Sequence, residues 1–247
     1  MESGINCCIF EPCFMAPKFL IDKYHFKSDS IFKELPEKDI QLLYDRMLER
    51  RYKKGQRVFL EGSQPTGIYY VKNGKIKKYK ADLNGREHII YICTEGDLFG
   101  YPALLSEDPY THSTAAMEDS VIGFVPKNDF LNILHQSTSL SGKLLKNLSH
   151  EFGVLVNGIS TFAHRTVRER LALCLLILGD KYKTGNEVDQ PTVINLKRED
   201  LANMVGTAVE TLVRLIHDFK IEGLIETKGR KITILDAEKI EGIVNNY

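Results

Sequence analysis

Glu210 and Arg214 have the side-chain types and the spacing for a specific kind of chemistry. They lie four residues apart in GTAVETLVRLIHDFK (206–220), so a helix would place them side by side on one face. An arginine guanidinium can donate two hydrogen bonds to guanine O6 and N7, and a glutamate carboxylate can accept one from cytosine N4. The same two residues could also form a plain surface ion pair, so the surrounding elements must decide.

The segments around this pair predict how it is presented. KREDLANMV (197–205) is a short amphipathic helix, and Gly206 follows at a tight turn, which is the helix-turn-helix pattern. In the second helix the apolar residues recur at spacings of three and four and should face inward: Ala208, Leu212, Leu215, Ile216 and Phe219. The opposite face would then carry Val209, Glu210, Val213 and Arg214.

A basic hairpin is predicted after the second helix. GLIETKGRKITIL (223–235) reads as two strands around a tip that carries Lys228, Arg230 and Lys231. Basic side chains at such a tip suit contacts to DNA phosphates. A short strand is expected at 193–196, before the first motif helix, and a short helix at the end of the chain.

A glycine-punctuated region of short β-rich runs precedes this motif, from Tyr52 to Phe130. Asn73-Gly74 and Asn84-Gly85 are typical of two-residue hairpin turns. Evenly spaced strands with turn glycines predict an antiparallel barrel or jelly roll, which can hold a small ligand. Residues 28–51 are expected to be helical, with Pro36 opening a second helix and one shared face of Ile40, Leu43, Tyr44, Met47 and Leu48.

A long helix from about Ser139 to His164 carries an apolar seam. Its members alternate in steps of three and four over nearly three heptads: Leu145, Leu148, Phe152, Leu155, Ile159 and Phe162. We expect the seam to pair with a second copy of the chain, while Leu144 and Val156 pack on the barrel. Residues 164–170, with Thr166 as a natural cap, predict a hinge, and the helix that follows contains Cys174 as a core residue.

Composition limits the class of protein. The chain has 247 residues, 43% of them hydrophobic, and a formal net charge of zero. It can therefore bury a core and is not a general polycation. No apolar run suggests a membrane span and no signal peptide is recognisable, so we expect a cytoplasmic chain with reduced thiols. Four units are predicted: an arm (1–27), a sensor domain (28–135), a dimerisation helix (136–165) and a DNA-binding domain (166–247).

The order of these units resembles the CRP/FNR family of bacterial transcription regulators. The segments that carry the resemblance are GQRVFLEG, YYVKNGKIK, EGDLFGYPALL, VIGFVPKNDF and LKREDLANMVGTAVETLVRLIHDFKIEGLIETKGRKITIL. The resemblance implies an α+β fold, in which an antiparallel β-roll like a cyclic-nucleotide-binding domain precedes the dimerisation helix and a winged helix-turn-helix. It also implies double-stranded DNA, a second copy of the chain and RNA polymerase as partners.

The resemblance also implies how the operator is read. VETLVRL is similar to the family's E-x-x-x-R motif, so Arg214 would read a guanine and Glu210 the opposing cytosine. Val209 and the thymine-methyl contact expected of Val213 favour a half-site like TTGA over TGTGA. Two half-sites should lie about 34–36 Å apart. Matching positions imply phosphate contacts for Arg168, Arg198 and Thr211.

The family's cyclic-nucleotide contacts match poorly. The Gly-Glu pair that holds the ribose corresponds to Gly100 and Tyr101, and the Arg-Ser pair that holds the phosphate falls near His112 and Ser113. The polar pair on the dimer helix corresponds to Leu155 and Val156. Without the arginine a charge-assisted phosphate contact is lost, so we expect no effective binding of cyclic AMP and an unidentified signal in the β-roll or the arm.

Metal and haem sites are equally unmatched, and the sequence assigns no cofactor. Cys7, Cys8 and Cys13 depart from the family's iron–sulfur spacing, the barrel position of the fourth cysteine falls on Gly123, and Cys93 should be buried. A rearranged cluster, or haem bound through His88 or His112, stays open as a redox-sensing alternative. A jelly-roll metal enzyme is a remote alternative, because the barrel lacks a close histidine pair with a carboxylate, and we expect no catalysis.

Overall fold

The structure is a computed structural model that describes residues 21–26, 30–33, 35–182 and 192–245. Two short helices, α1 (Ser30–Lys33) and α2 (Glu37–Asp45), come first, and α2 begins directly after Pro36 as predicted. The helix predicted over 28–51 is wrong at its end, because strand β1 (Leu48–Tyr52) pairs antiparallel with residues 120–124. The shared face is also wrong, since Leu43 is buried but Tyr44 and Leu48 are exposed.

Two four-stranded antiparallel sheets form the β-roll. One has the order β1-β8-β3-β6 and the other β2-β7-β4-β5. The short helix α3 (Tyr101–Ser106) follows β6. The remaining strands are β2 (Arg57–Phe59), β3 (Gly67–Asn73), β4 (Ile76–Ala81), β5 (Glu87–Cys93), β6 (Leu98–Phe99), β7 (Ser113–Ala116) and β8 (Ser120–Pro126).

The two Asn-Gly turns differ from the prediction. Asn84-Gly85 lies in the β4–β5 hairpin, but Asp82 N donates to Arg86 O, so the loop is longer than two residues. Asn73-Gly74 makes no hairpin, because β3 and β4 belong to different sheets. Gly74 has φ +97, and a Cβ there would collide with Ser120, so glycine lets the chain cross between the sheets.

Helix α4 (Lys127–Gln136) leads into the long helix α5 (Thr138–His164), which Ser137 caps by accepting from Leu140 N at 3.0 Å. One face of α5 packs on the roll through Leu144, as predicted, and Val154. Val156 was expected on that face, but it is 48% exposed. Five of the six seam residues are exposed and Leu148 is half-buried, so the seam lies on the outer face.

The C-terminal unit begins at α6 (Val167–Lys181), whose first turn is fixed by a capping box between Thr166 and Glu169. Helices α7 (Arg198–Val205) and α8 (Val209–Ile221) form the helix-turn-helix. A three-stranded sheet of order β10-β11-β9 and helix α9 complete it: β9 (Val193–Asn195), β10 (Ile225–Lys228), β11 (Lys231–Ile234) and α9 (Ala237–Asn245). The predicted basic hairpin is therefore present.

The C-terminal unit packs on the β4–β5 side of the roll. Tyr79, Ile89 and Ile92 share one hydrophobic cluster with the helices of that unit. His88 Nδ1 lies 2.9 Å from Asn203 O of α7. A search of the described helices for one both long and apolar enough to cross a bilayer finds no candidate.

Candidate nucleic-acid interface and sensor core

The turn between α7 and α8 is built around Gly206. Its φ is +70, in the left-handed region, and its N–H donates to Ala202 O at 2.9 Å, which ends α7. A Cβ at this position would meet the ring of Phe162 at 2.8 Å. Both the backbone conformation and the close approach therefore favour glycine at the turn.

Helix α8 presents the predicted pair to solvent. Leu212, Ile216 and Phe219 are buried, whereas Val209 and Val213 are 38% and 50% exposed and share the outer face with Glu210 and Arg214, which are exposed as well. Within the described part of the chain, neither Glu210 nor Arg214 has a hydrogen-bond or ion-pair partner. The plain ion pair that the sequence left open is therefore absent. Ala208, expected to face inward, instead precedes the first residue of α8 and is exposed.

The five residues predicted to contact phosphates differ in their exposure and in the hydrogen bonds that they already make. Arg168 Nη2 donates to Glu222 Oε2 at 2.6 Å. Arg198 donates to the carbonyls of Gly229 and Arg230 at 3.2 and 3.3 Å, so it supports the turn of the β10–β11 wing. Thr211 is half-buried, whereas Lys228 and Arg230, both at the wing tip, are exposed.

The core of the β-roll holds a buried polar contact between α3 and α5. The hydroxyl of the fully buried Tyr101 donates to Glu151 Oε1 at 2.8 Å and accepts from Asn147 Nδ2 at 2.5 Å. Burial, followed by the Glu151 carboxylate, raises the pKa of Tyr101 well above its usual range. Gly100, with φ +85, lies against the ring of Tyr69.

His112 and Ser113 do not form an anion site with those groups. The His112 ring lies 5.7 Å from the ring of Phe59, and its Nε2 is buried without a partner among the described residues. Burial, followed by the charges of Lys78 and Lys80, lowers the pKa of His112 to about 3, so the ring is neutral at pH 7. Ser113 Oγ accepts from Glu61 N at 3.0 Å.

The six positions matched to the nucleotide pocket therefore do not form one site. Leu155 and Val156 are 47% and 48% exposed on α5, whereas Tyr101 is fully buried. The contact between the roll and α5 is made instead by Asn147 and Glu151, which sequence reasoning missed. Their four-residue spacing on the face that also carries Leu144 was the available signal.

A third polar group missed from the sequence is Lys78, which is buried in strand β4. Burial would lower the pKa of its ammonium, but nearby negative charges, including those of Glu151 and Asp97, raise it. Lys78 follows Lys77 and is two residues before Lys80, and this run of lysines gives no sign in the sequence that one of them is buried.

The cysteines do not assemble a metal site in the part of the chain that is described. Cys93 is fully buried, as predicted, and burial raises the pKa of its thiol to about 12. Cys174, expected in the core, is half-buried and packs against the main hydrophobic cluster. Space beside Gly123 is taken by the side chain of Met47. No cluster of three or more potential ligands occurs among the described residues, and Cys7, Cys8 and Cys13 lie outside them.

Comparison with known proteins gives two family matches. Residues 49–137 match the cyclic nucleotide-binding domain family, and residues 169–243 match the Crp-like helix-turn-helix domain family. The first match spans β1 to α4, the second spans nearly all of α6 to α9, and α5 lies between them.

Individual proteins also resemble the chain over most of its length. The chain is 28% identical over 200 residues to the fumarate and nitrate reduction regulatory protein of Vibrio cholerae, covering 80% of each. It is 24% identical over 217 residues to the cyclic AMP receptor protein of Thermus thermophilus, covering 88% of this chain and 97% of the relative. The structure of FixK2 from Bradyrhizobium japonicum shares the fold, with a TM-score of 0.72 at 20% identity over 80% of this chain and 96% of that chain.

The chain belongs to the CRP/FNR family of transcription regulators. In this CRP/FNR regulator the exposed pair on α8 belongs to a DNA-binding helix-turn-helix. The β-roll belongs to a domain like those that bind cyclic nucleotides. The positions predicted from the sequence to match the nucleotide contacts include a buried tyrosine and a neutral histidine.

Proposed function

We propose that this regulator binds a near-palindromic operator as a homodimer, through half-sites like TTGA, and responds to a signal other than cyclic AMP. The observation that carries the proposal is the exposed outer face of α8, where Glu210 and Arg214 have no partner among the described residues. Regulation of transcription would then involve contact with RNA polymerase.

Base reading follows from the chemistry of that face. Arg214 donates two hydrogen bonds to guanine O6 and N7, and Glu210 accepts one from the amino group of the paired cytosine. Val213 lies one residue before Arg214 and contacts a thymine methyl group. Lys228 and Arg230 at the wing tip bind phosphates and fix the position of α8 in the groove.

The seam of α5 supports the homodimer. Leu145, Phe152 and Ile159 are 67%, 69% and 72% exposed, which is costly for three large apolar side chains in a row on one helix face. A second α5 packed in parallel buries them and relates the two copies of α8 by a two-fold axis. The half-sites are then about 34–36 Å apart.

The barrel core supports a signal other than cyclic AMP. A cyclic phosphate needs a cationic partner at positions 112 and 113, where this chain has a neutral, buried imidazole and a hydroxyl already bonded to Glu61 N. Tyr101, which the resemblance matches to the family's ribose contact, is buried and donates to Glu151 instead. The cavity described in the next subsection is a different place for a signal to bind.

The test is operator binding by the full-length chain and an Arg214→Ala variant. A duplex with two inverted TTGA half-sites is compared with one whose guanines are changed to adenine. We expect Arg214→Ala to lose about 1–3 kcal/mol per half-site and to lose the preference for guanine. Arg214→Lys keeps the positive charge without the planar fork, so it should retain non-specific binding but not the preference.

The matched control is Arg51→Ala, because Arg51 has an 84% exposed side chain on β1, far along the chain from the motif. That variant should bind the operator like the wild type. Wild-type affinity in Arg214→Ala, or equal losses in Arg214→Ala and Arg51→Ala, would refute base reading by Arg214.

A further inference from the structure

A cavity of about 420 Å³ lies where the β-roll, α5 and the DNA-binding unit meet. Its volume is within the roughly 300–1,000 Å³ typical of small-molecule sites. Of the six positions matched to the nucleotide pocket, Leu155 lines this cavity, whereas Gly100, Tyr101, His112, Ser113 and Val156 do not. The lining is mainly apolar and includes Ile90, Leu155, Ile159, Leu173, Ile177 and Met204.

Three separate units contribute walls to this cavity. Ile90 comes from strand β5, Leu155 and Ile159 from α5, and Leu173 and Ile177 from α6. A molecule bound there would contact the sensor, the dimer helix and the DNA-binding unit at once. Because Leu155 and Ile159 also belong to the seam, a second α5 would cover the open side of the cavity.

Arg170 is the cationic group of the lining. Its Nε donates to Val205 O at 2.9 Å, Nη1 to Arg165 O at 3.2 Å and Nη2 to Gly206 O at 3.3 Å. The guanidinium also lies over the Phe162 ring, 5.3 Å from its centroid. No carboxylate of the described residues pairs with it. A half-buried positive charge whose hydrogen bonds among the described residues go to carbonyl oxygens, with no counter-ion, favours an anion.

His88, the histidine of the lining, does not compete for that anion. Its Nδ1 lies against a carbonyl, Asn203 O, which can only accept, so Nδ1 carries the proton of the neutral ring. Burial is the first cause that lowers the pKa of His88, and the charge of Arg170 contributes as well. The cavity therefore has an apolar lining, one cationic side chain (Arg170) and one neutral imidazole (His88).

We propose that this cavity binds a small molecule with an apolar body and one carboxylate, whose carboxylate pairs with Arg170. The proposal deepens the proposed function, since such a molecule would be its signal. Arg170 bonds both to Arg165 in the hinge and to Val205 and Gly206 at the turn before α8. A carboxylate on Arg170 competes with these carbonyls and so acts on the position of α8.

The test uses the full-length chain without DNA and follows the fluorescence of 1-anilinonaphthalene-8-sulfonate, an aromatic body with one anionic group. Decanoate and 2-naphthoate are the competing ligands. Comparing them shows whether the cavity prefers an aliphatic or an aromatic carboxylate. Decanol is the uncharged match for decanoate. We expect one of the carboxylates to displace the probe at least about tenfold more effectively than decanol.

Gly158→Leu is the variant that fills the cavity. Gly158 lines it from α5, and a Cβ at that position would meet no atom within 4 Å. Leucine also has a higher helix propensity than glycine, so the variant should fold. Gly153→Leu is the matched control, because Gly153 is an exposed α5 residue with equally open surroundings that does not line the cavity.

We expect Gly158→Leu to weaken binding of the probe at least about tenfold, and Gly153→Leu to leave it unchanged. Arg170→Gln should remove the preference for carboxylate over decanol. Equal binding by the wild type and Gly158→Leu, or equal displacement by decanoate, 2-naphthoate and decanol, would overturn the proposal. A cavity filled by the partner's α5 would give no binding by the wild type, which also overturns it. None of these results depends on Arg214 or on the operator.

Discussion

His112 shows how burial, aided by nearby positive charges, decides the protonation state of one residue. Its imidazole lies beside the ring of Phe59, with Nε2 unpartnered among the described residues. A charged ring there would lose its hydration without gaining a counter-ion, so the neutral form is favoured. The histidine near the position predicted to match the family's phosphate-binding arginine is therefore not a cation at physiological pH.

This burial predicts a loss of stability in acid. The unfolded chain binds a proton at His112 near the ordinary histidine pKa of 6.5, whereas the folded chain binds it only near pH 3. Between these values the unfolded state holds more protons, so the free energy of unfolding falls as the pH drops, by up to about 1.4 kcal/mol per pH unit. Urea denaturation between pH 7 and 5 measures this loss.

A His112→Leu variant should lose less stability over that pH range than the wild type. The control is the exposed His217 on α8, for which His217→Leu should reproduce the wild-type loss. The same pH dependence in the wild type and in His112→Leu would show that other groups cause it.

Helix α5 has an inner face that packs on the roll and an outer face that carries the exposed apolar seam. The inner face packs apolar side chains on the roll and places Asn147 and Glu151 against Tyr101. The outer face carries the seam, with Phe152 and Ile159 among its most exposed members. A change in the roll that moves α5 through the Tyr101 contact would therefore move the seam as well.

A charge in the seam should prevent dimerisation. Phe152→Lys or Ile159→Lys places an ammonium where two apolar seams are expected to pack, and both copies carry the change. We expect the dimer dissociation constant to rise at least about 100-fold, or about 2.8 kcal/mol, measured by sedimentation equilibrium. Ser160→Lys, also exposed on α5 but one residue off the seam, should sediment like the wild type. Unchanged dimerisation in the seam variants would place the dimer contact elsewhere.

The whole molecule depends on a polar link between its two large units. Lys181 Nζ of α6 donates to Asp97 Oδ2 of the roll at 2.6 Å, and it also contacts the Tyr91 hydroxyl. The two charged side chains are only 7% and 1% exposed. Together with the shared apolar cluster, this link fixes the DNA-binding unit against the β4–β5 side of the roll.

Breaking this link from one side should be costly. Asp97→Asn leaves the Lys181 ammonium buried without its counter-ion, and we expect a loss of about 3–5 kcal/mol in the free energy of unfolding. The double variant Asp97→Asn with Lys181→Met removes both charges and should regain much of that loss. Urea denaturation at one fixed protein concentration measures the free energy of unfolding of the wild type, Asp97→Asn and the double variant. A double variant no more stable than Asp97→Asn would argue against the ion pair as the cause.

The sequence by itself determined the features that depend on local patterns. Periodicity located α5, α7 and α8, because each buries one face and exposes the other. Two strand-like runs around Lys228-Gly229-Arg230 located the wing. Gly206 marked the turn, since few other residues tolerate a positive φ. The exposure of Glu210 and Arg214 followed from the same spacing, so the residues on the outer face of α8 were predictable.

Only the tertiary structure decided the features that depend on which segments meet. Residues 48–52 carry a pattern compatible with a helix, yet pairing with β8 makes them a strand. Asn73-Gly74 has the local chemistry of a hairpin, but the sheets on either side are different ones. The buried contacts of Tyr101 and Lys181, and the cavity beside Arg170, join residues far apart in the chain. Their energies arise from burial and from charges brought together by folding, which local spacing does not record.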